Sequence, residues 1–302
     1  MRVRIVTVPY DTAQYETRMG RGPGHLLKAG VVARLQASGN EVVVHNVDLK
    51  SQFPAEVETT FAVMAAVADE VRDACDEDQF PFVLAGNCNT TVGTVSGLGP
   101  RRVGVVWFDG HADLETPETT TSGYIDGMGL AILTGHCWQR LAKRISGFAP
   151  IPSEHVILAG SSDIETHERE LLERSSIIYL SDSALNSIDG EHNLGEALGR
   201  LKDSVDGVHL HIDLDVHDPR IAPANHFRPP GGLSPDRLHE MIELVVNRMP
   251  VLSAAITAFD PDVDPERATT RSCLALIDTI AAHDPRLPAE RRREIAPNIE
   301  SG

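Results

Sequence analysis

Eight short apolar runs, at 3–8, 41–47, 82–85, 103–108, 155–159, 176–180, 207–214 and 251–258, recur along the chain. Between most of them the apolar spacing changes from continuous to helical: 25–37, 56–76, 92–98, 128–141, 166–174, 193–203, 234–248 and 268–283. The first of these carries Leu26, Leu27, Val31, Val32 and Leu35 on one side. Strand alternating with helix from end to end predicts a parallel sheet with helices on both faces, a three-layer α/β/α sandwich on eight strands. No internal repeat, linker or low-complexity stretch interrupts the pattern, so one domain over 1–302 is expected. Residues 287–302, with Arg291, Arg292 and Arg293, read as a helix and frayed tail, the basic run as a solvated face or an oligomer contact.

Open α/β sheets bind ligands outside the carboxyl ends of their strands. The run 103–108 delivers Asp109-Gly110-His111-Ala112-Asp113 at such an end. Taken alone, that triplet reads as well as a solvated turn. A hundred residues later 207–214 ends in a matching way, with Asp213, Leu214 and Asp215 followed by His217, Asp218 and Pro219. Residues two apart on a strand share a face, so Asp213 and Asp215 point the same way. Four carboxylates and an imidazole gathered at two strand ends are costly unless a cation neutralises them.

Composition narrows the partners. The 27 basic residues stand against 44 acidic ones, a formal charge of −17, which argues against nucleic acid or an anionic membrane as partner and suits a carboxylate-rich metal site. Cys75, Cys88, Cys137 and Cys273 are scattered, so reduced thiols and a cytoplasmic location are expected. No run reaches transmembrane length, and the first residues are too strand-like for a signal peptide.

These motifs resemble the ureohydrolases, the family of arginase, agmatinase and relatives. Asp109–Asp113 is similar to the family's Asp-Ala-His-x-Asp signature, and residues 116–123 to its arginase loop. The stretch 211–219 is similar to Ser-x-Asp-x-Asp-x-x-Asp-Pro. Gly20-Arg21-Gly22-Pro23, Leu27–Gly30, Pro223-Ala224 and Gly231–Leu233 extend the likeness over nearly the whole chain. The resemblance implies two Mn²⁺ ions sharing a hydroxide, a small arginine-like substrate, C–N cleavage at a guanidine-type carbon, and assembly as a homo-oligomer. It assigns Asp109 and Asp213 as bridges, Asp113 to the first ion, and His111 and Asp215 to the second. Hard divalent ions with oxygen ligands and a tolerated imidazole fit that set.

Several positions depart from the family pattern. Its remaining ligand, a His, falls on Cys88, and the Asp before it on Asn87; a small buried thiol that binds nothing is the alternative reading. With Cys88 ionised the six ligands carry five negative charges, and sulfur holds Mn²⁺ less well than imidazole, so incomplete occupancy is expected. The loop His used by arginases for proton transfer falls on Asp126, and the Glu that clamps the guanidinium falls on Ala258. At the amino-acid end Thr120 and Ser122 match, Glu115 and Tyr124 replace Asn, and Glu165 stands for an Asp. His211, in place of a Ser, is expected to pack or to support a ligand, and His217 to point away from the face of Asp215. His226 and Phe227 fall in the substrate-side loop.

Without the clamp, the site loses its preference for a guanidinium cation, and a less basic N-hydroxyguanidine suits a weakened nucleophile. The combination is similar to family members that act on Nω-hydroxy-L-arginine in D-cycloserine biosynthesis, giving hydroxyurea and L-ornithine. The other readings are a ureohydrolase of arginine, agmatine, a guanidino acid or a formimino compound, and a non-catalytic homologue.

Overall fold

The computed structural model describes residues 1–49, 55–227, 229–282, 284 and 286. Its main sheet has eight strands: β1 (Arg2–Val8), β2 (Glu41–Asn46), β3 (Phe80–Ala85), β4 (Val103–Phe108), β5 (Val156–Ala159), β6 (Ile178–Leu180), β7 (Gly207–Asp213) and β8 (Val251–Thr257). All are parallel, in the order β2-β1-β3-β8-β7-β4-β5-β6. Burial on both faces explains why β3 and β4 read as near-continuous apolar runs, while β7, equally buried, carries His209 and His211 on one face.

Side chains alternate between two cores. On β4, Val106 and Phe108 enter a core formed with Leu26, Leu35, Leu198, Met241 and Ile277. Val105 and Trp107 enter the other, with Met64, Val67, Val92 and Ile132. The period of two along the strand meets the helical period on either side, and a three-layer sandwich results. The helices Glu56–Asp76 and Thr166–Arg174 keep the bounds expected from the sequence.

Two expected helices are broken. The segment 25–37 divides into Gly22–Lys28 and Val31–Ala37, because Gly30 takes φ +105, a left-handed conformation that ends the first helix. The segment 128–141 yields only Gly129–Leu133 and Gln139–Ala142, separated by Gly135 and Trp138, both with positive φ. In each case apolar spacing survives the break, since both pieces face the same core, so periodicity alone hid it. A hairpin of Tyr10–Asp11 with Gln14–Tyr15 and a helix Asp182–Asn186, capped by the Ser181 hydroxyl, were not expected. The 287–302 tail lies outside the described residues.

The sheet order positions the site. Strands β3, β8, β7 and β4 are consecutive neighbours. Their carboxyl ends therefore bring together Asn87 and Cys88, Ala258, Asp213 and Asp215, and Asp109, from four remote parts of the chain.

Candidate metal centre

The backbone after β4 turns sharply. The His111 amide donates to Asp109 Oδ1 at 2.7 Å, and the Gly110 amide to Asp215 Oδ1 at 3.1 Å. A side chain at residue 110 would strike Pro229 and the Asp215 carbonyl, so the glycine permits this approach. Asp113 sits at φ +52, held in the left-handed region as its carboxylate turns into the pocket. At the end of β7, Asp213 Oδ1 accepts the Asp215 amide at 2.7 Å and opens a short 3₁₀ turn. Both strand ends thus use one of their own carboxylates to fold the loop that carries the next.

These two segments meet. Nδ1 of His111 lies 3.3 Å from Asp215 Oδ2 and 3.6 Å from Asp109 Oδ1. Asp109, His111 and Asp215 place one donor atom each within 4.8 Å of the others. From β3 comes Cys88, whose Sγ donates to Asp213 Oδ2 at 2.8 Å and lies 3.1 Å from Thr257 Oγ1. Cys88 forms a second such group with Asp109 and His211. Asp109 belongs to both groups and accepts the Trp107 indole N–H at 2.9 Å.

The electrostatics call for a cation. Burial, then the charges of Asp109 and Asp126, push Asp113 well above the carboxylate range. Burial, then Asp215 and Asp109, does the same to Asp213. Burial with Asp215 raises Asp109 to about 6. For Asp215 burial also pushes up, but the charge and hydrogen bond of His111 prevail and bring it to about 2. The same pairing, against the effect of burial, lifts His111 well above the ordinary histidine value. Burial beside Asp213 keeps Cys88 a thiol when no metal is bound. The sequence-level charge sum, with Cys88 ionised, therefore applies only once a metal displaces that proton. Buried Asp113 Oδ2 and His211 Nε2 have no hydrogen-bond partner. Clustered carboxylates, an imidazole, a thiol and two orphaned atoms fit divalent cations.

The walls form a cavity of about 300 Å³. Cys88, His111, Asp113, Glu115, Ser122, Tyr124, Asp126, Glu165, Asp213, Asp215 and Ala258 all line it. Thr120 does not line it. Its hydroxyl faces Ser122 Oγ and accepts the Gly123 amide, shaping the loop, while Thr121 lines the pocket instead. Asp126 is buried, accepting Asn87 Nδ2 at 2.6 Å and the Asn89 amide at 3.1 Å. Burial outweighs these bonds and brings its pKa to about 7. Tyr124 donates to Asp11 and stacks on Phe227, with ring centroids 5.3 Å apart. At the mouth, Glu115, Glu165 and His167 cluster within 4.8 Å, with Asp163 and Glu168 nearby on the wall.

Supporting residues were missed from the sequence. Asn225 donates to Asp215 Oδ2 and to the Ala258 carbonyl, each at 3.1 Å, tying two strand ends together. Glu168 accepts the amides of Leu114 and Glu165 and so fixes the loop after Asp113 to the mouth. Its signal was present: Glu165 and Glu168 form a capping box at the start of a helix. Asn225 sits in an irregular loop with no local pattern to announce it. His217 is buried, with Nε2 2.8 Å from Ser272 Oγ.

Comparison with known proteins agrees with this geometry. The family model described as "Arginase family" matches residues 1–282. The chain is 31% identical to the arginase of Brevibacillus brevis over 287 residues, covering 91% of this chain and 96% of that one. Among solved structures, the arginase of Bacillus cereus superposes with a TM-score of 0.84 at 26% identity, covering 93% of this chain and 98% of that chain. The agmatine ureohydrolase of Thermoplasma volcanium shares the fold, with a TM-score of 0.72 at 20% identity over 97% of this chain and 92% of that chain. With the same fold and a match along nearly its full length, this chain belongs to the arginase family, hydrolases of guanidino and amidino C–N bonds.

Proposed function

We propose that the chain hydrolyses Nω-hydroxy-L-arginine to hydroxyurea and L-ornithine, using a binuclear centre held by Cys88, Asp109, His111, Asp113, Asp213 and Asp215. The observation that carries this reading is Ala258: an apolar residue lines the cavity where the family resemblance places the carboxylate that clamps a guanidinium. A site without that clamp gains little from a permanently charged substrate. An N-hydroxyguanidine is less basic, arrives neutral and offers an extra polar atom. Two divalent ions, Mn²⁺ in the family, would acidify a shared water and polarise the electrophile.

The chain's own residues supply the rest. Water adds to the guanidino carbon, the bond from that carbon to the δ-nitrogen breaks, and the nitrogen keeps the electron pair and takes a proton. Asp126 is the donor in this reading: its carboxyl lines the cavity, and burial raises its pKa to about 7, within reach of proton exchange near neutrality. Asn87 and the Asn89 amide fix its carboxyl in the wall. Ser122 and Glu165, which the family resemblance places at the amino-acid end of the substrate, line the cavity. Purified, Mn²⁺-loaded protein assayed with both substrates should release hydroxyurea faster than urea. Faster turnover of L-arginine would end the proposal.

A second reading has its own support. Glu115, Asp163, Glu165 and Glu168 crowd the mouth with carboxylates. Such a mouth attracts an amine and opposes an α-carboxylate, which favours a decarboxylated substrate such as agmatine. Including agmatine in the assay separates the two: putrescine release exceeding ornithine release selects the second.

A further inference from the structure

His211 is a buried titratable residue that this reaction leaves unused. It lies on β7 two residues before Asp213, on the same face of the strand. The side chain is fully buried. Its ring stacks on Trp107 with centroids 3.7 Å apart and planes 21° apart. Thr91 Oγ1 is 2.8 Å from Nδ1, so stack and hydrogen bond together fix the ring. Nε2 is buried and without a partner. Native interiors rarely leave such an atom unpaired. One ring nitrogen, Cys88 Sγ and an Asp109 oxygen all lie within 4.8 Å of one another.

We infer that His211 is a metal ligand, completing with Cys88 and Asp109 an inner position whose donors are sulfur, nitrogen and oxygen. A transition metal bonded at about 2.0–2.3 Å to each holds its donors within roughly 4.5 Å, so small adjustments close the site. Thr91 occupies Nδ1, which leaves Nε2 for the ion and gives the ring the outer-shell hydrogen bond that ligating histidines commonly have. The family resemblance places a His at 88 and a Ser at 211; here the imidazole stands at 211 and the small side chain at 88. The imidazole has in effect moved from the loop after β3 to β7, which lies on the far side of β8. The resulting donor set is softer than one of carboxylates and a single imidazole, and favours Co²⁺ or Zn²⁺ over Mn²⁺ at the inner position. The outer position, with Asp109, His111 and Asp215, keeps its oxygen-rich character.

This inference rests on reading the pocket as a metal centre and is independent of the substrate. The test is a Co²⁺ titration of metal-free protein, following the thiolate-to-cobalt absorption that only Cys88 can give in this pocket, with total bound cobalt measured in parallel. In the wild type, that band should rise with one of the two binding events, the sulfur-reported one. His211→Ser should weaken the sulfur-reported event by at least tenfold and leave the sulfur-free event unchanged, which also shows that the variant is folded. His211→Gln, closer in volume, should behave the same way. An unchanged midpoint of the thiolate band in both variants would overturn the inference while sparing the metal centre. Absence of any thiolate band in the wild type would overturn it too. Failure of the wild type to bind cobalt at all would sink both this inference and the metal-centre reading, whereas slow turnover of hydroxyarginine would touch neither.

Discussion

The two halves of the centre are built differently. On the outer half, His111 stands between Asp109 and Asp215, whose charges lift it well above the ordinary histidine value, and hydrogen bonds from Gly110 and Asn225 hold Asp215 in place. On the inner half, the Cys88 thiol donates to Asp213 beside a neutral, buried His211. An ion entering the outer half displaces an imidazolium proton from a preformed cage. An ion entering the inner half must strip a proton from a thiol that burial resists ionising. Equal formal ligand counts therefore need not mean equal affinity: the cost of deprotonating the ligands is part of the binding free energy.

The most severe way to break the contrast is to remove what both halves share. Asp109→Asn should lower kcat/KM by about a thousandfold or more, corresponding to several kcal/mol of lost metal assistance, and reduce bound metal in both positions. Retention of two ions with near-normal rates would refute a bridging role. Cys88→His attacks the inner half alone. It should raise Mn²⁺ occupancy there, with affinity increased roughly tenfold or more, as imidazole replaces a reluctant thiol. Unchanged metal content would show that the thiol is not a ligand.

Asn225→Ala probes the outer half through its support. Loss of the bond to Asp215 should weaken metal affinity or activity by roughly 10–100-fold, with the loss read in the outer ion first. A milder difference separates the metal-free and loaded proteins. Asp109 at about 6 and Asp126 at about 7 lie above their unfolded values. The folded state then binds more protons than the unfolded one between about pH 4 and pH 7, so these groups lose stabilising effect as pH rises through that window. Asp215, held at about 2, acts in the opposite sense, and its contribution is present above about pH 4 and lost as pH falls toward 2. Buried His209, His211 and His217, held below the ordinary histidine value by burial, act against the raised carboxylates, so the comparison is made with Asp126→Asn. Chelated wild type should lose stability relative to that variant as pH rises from about 5 to 7 by calorimetry, and Mn²⁺ should abolish the trend; a relative stability that rises across this interval would contradict the assignment. Phe227→Ala, at the mouth, should change KM by only a few-fold, since the half-exposed ring contributes stacking on Tyr124 worth about 1 kcal/mol.

The β/α alternation, the eight strands and the two carboxylate-bearing strand ends were all legible in the sequence, because strand burial and side-chain periodicity are local consequences of residue order. The breaks at Gly30 and Gly135 were not, since both halves of each interrupted helix keep facing one core. Residue identity also singled out Asp109, His111, Asp113, Asp213 and Asp215 as candidate ion ligands. Only the tertiary structure decided that Cys88 hydrogen-bonds to Asp213, that Asn225 ties Asp215 to the end of β8, and that His211 stands with an unpaired nitrogen beside Cys88 and Asp109. Those relations depend on the order of strands in the sheet, which places β3, β8, β7 and β4 side by side. That order is fixed by long-range packing, which no stretch of neighbouring residues contains.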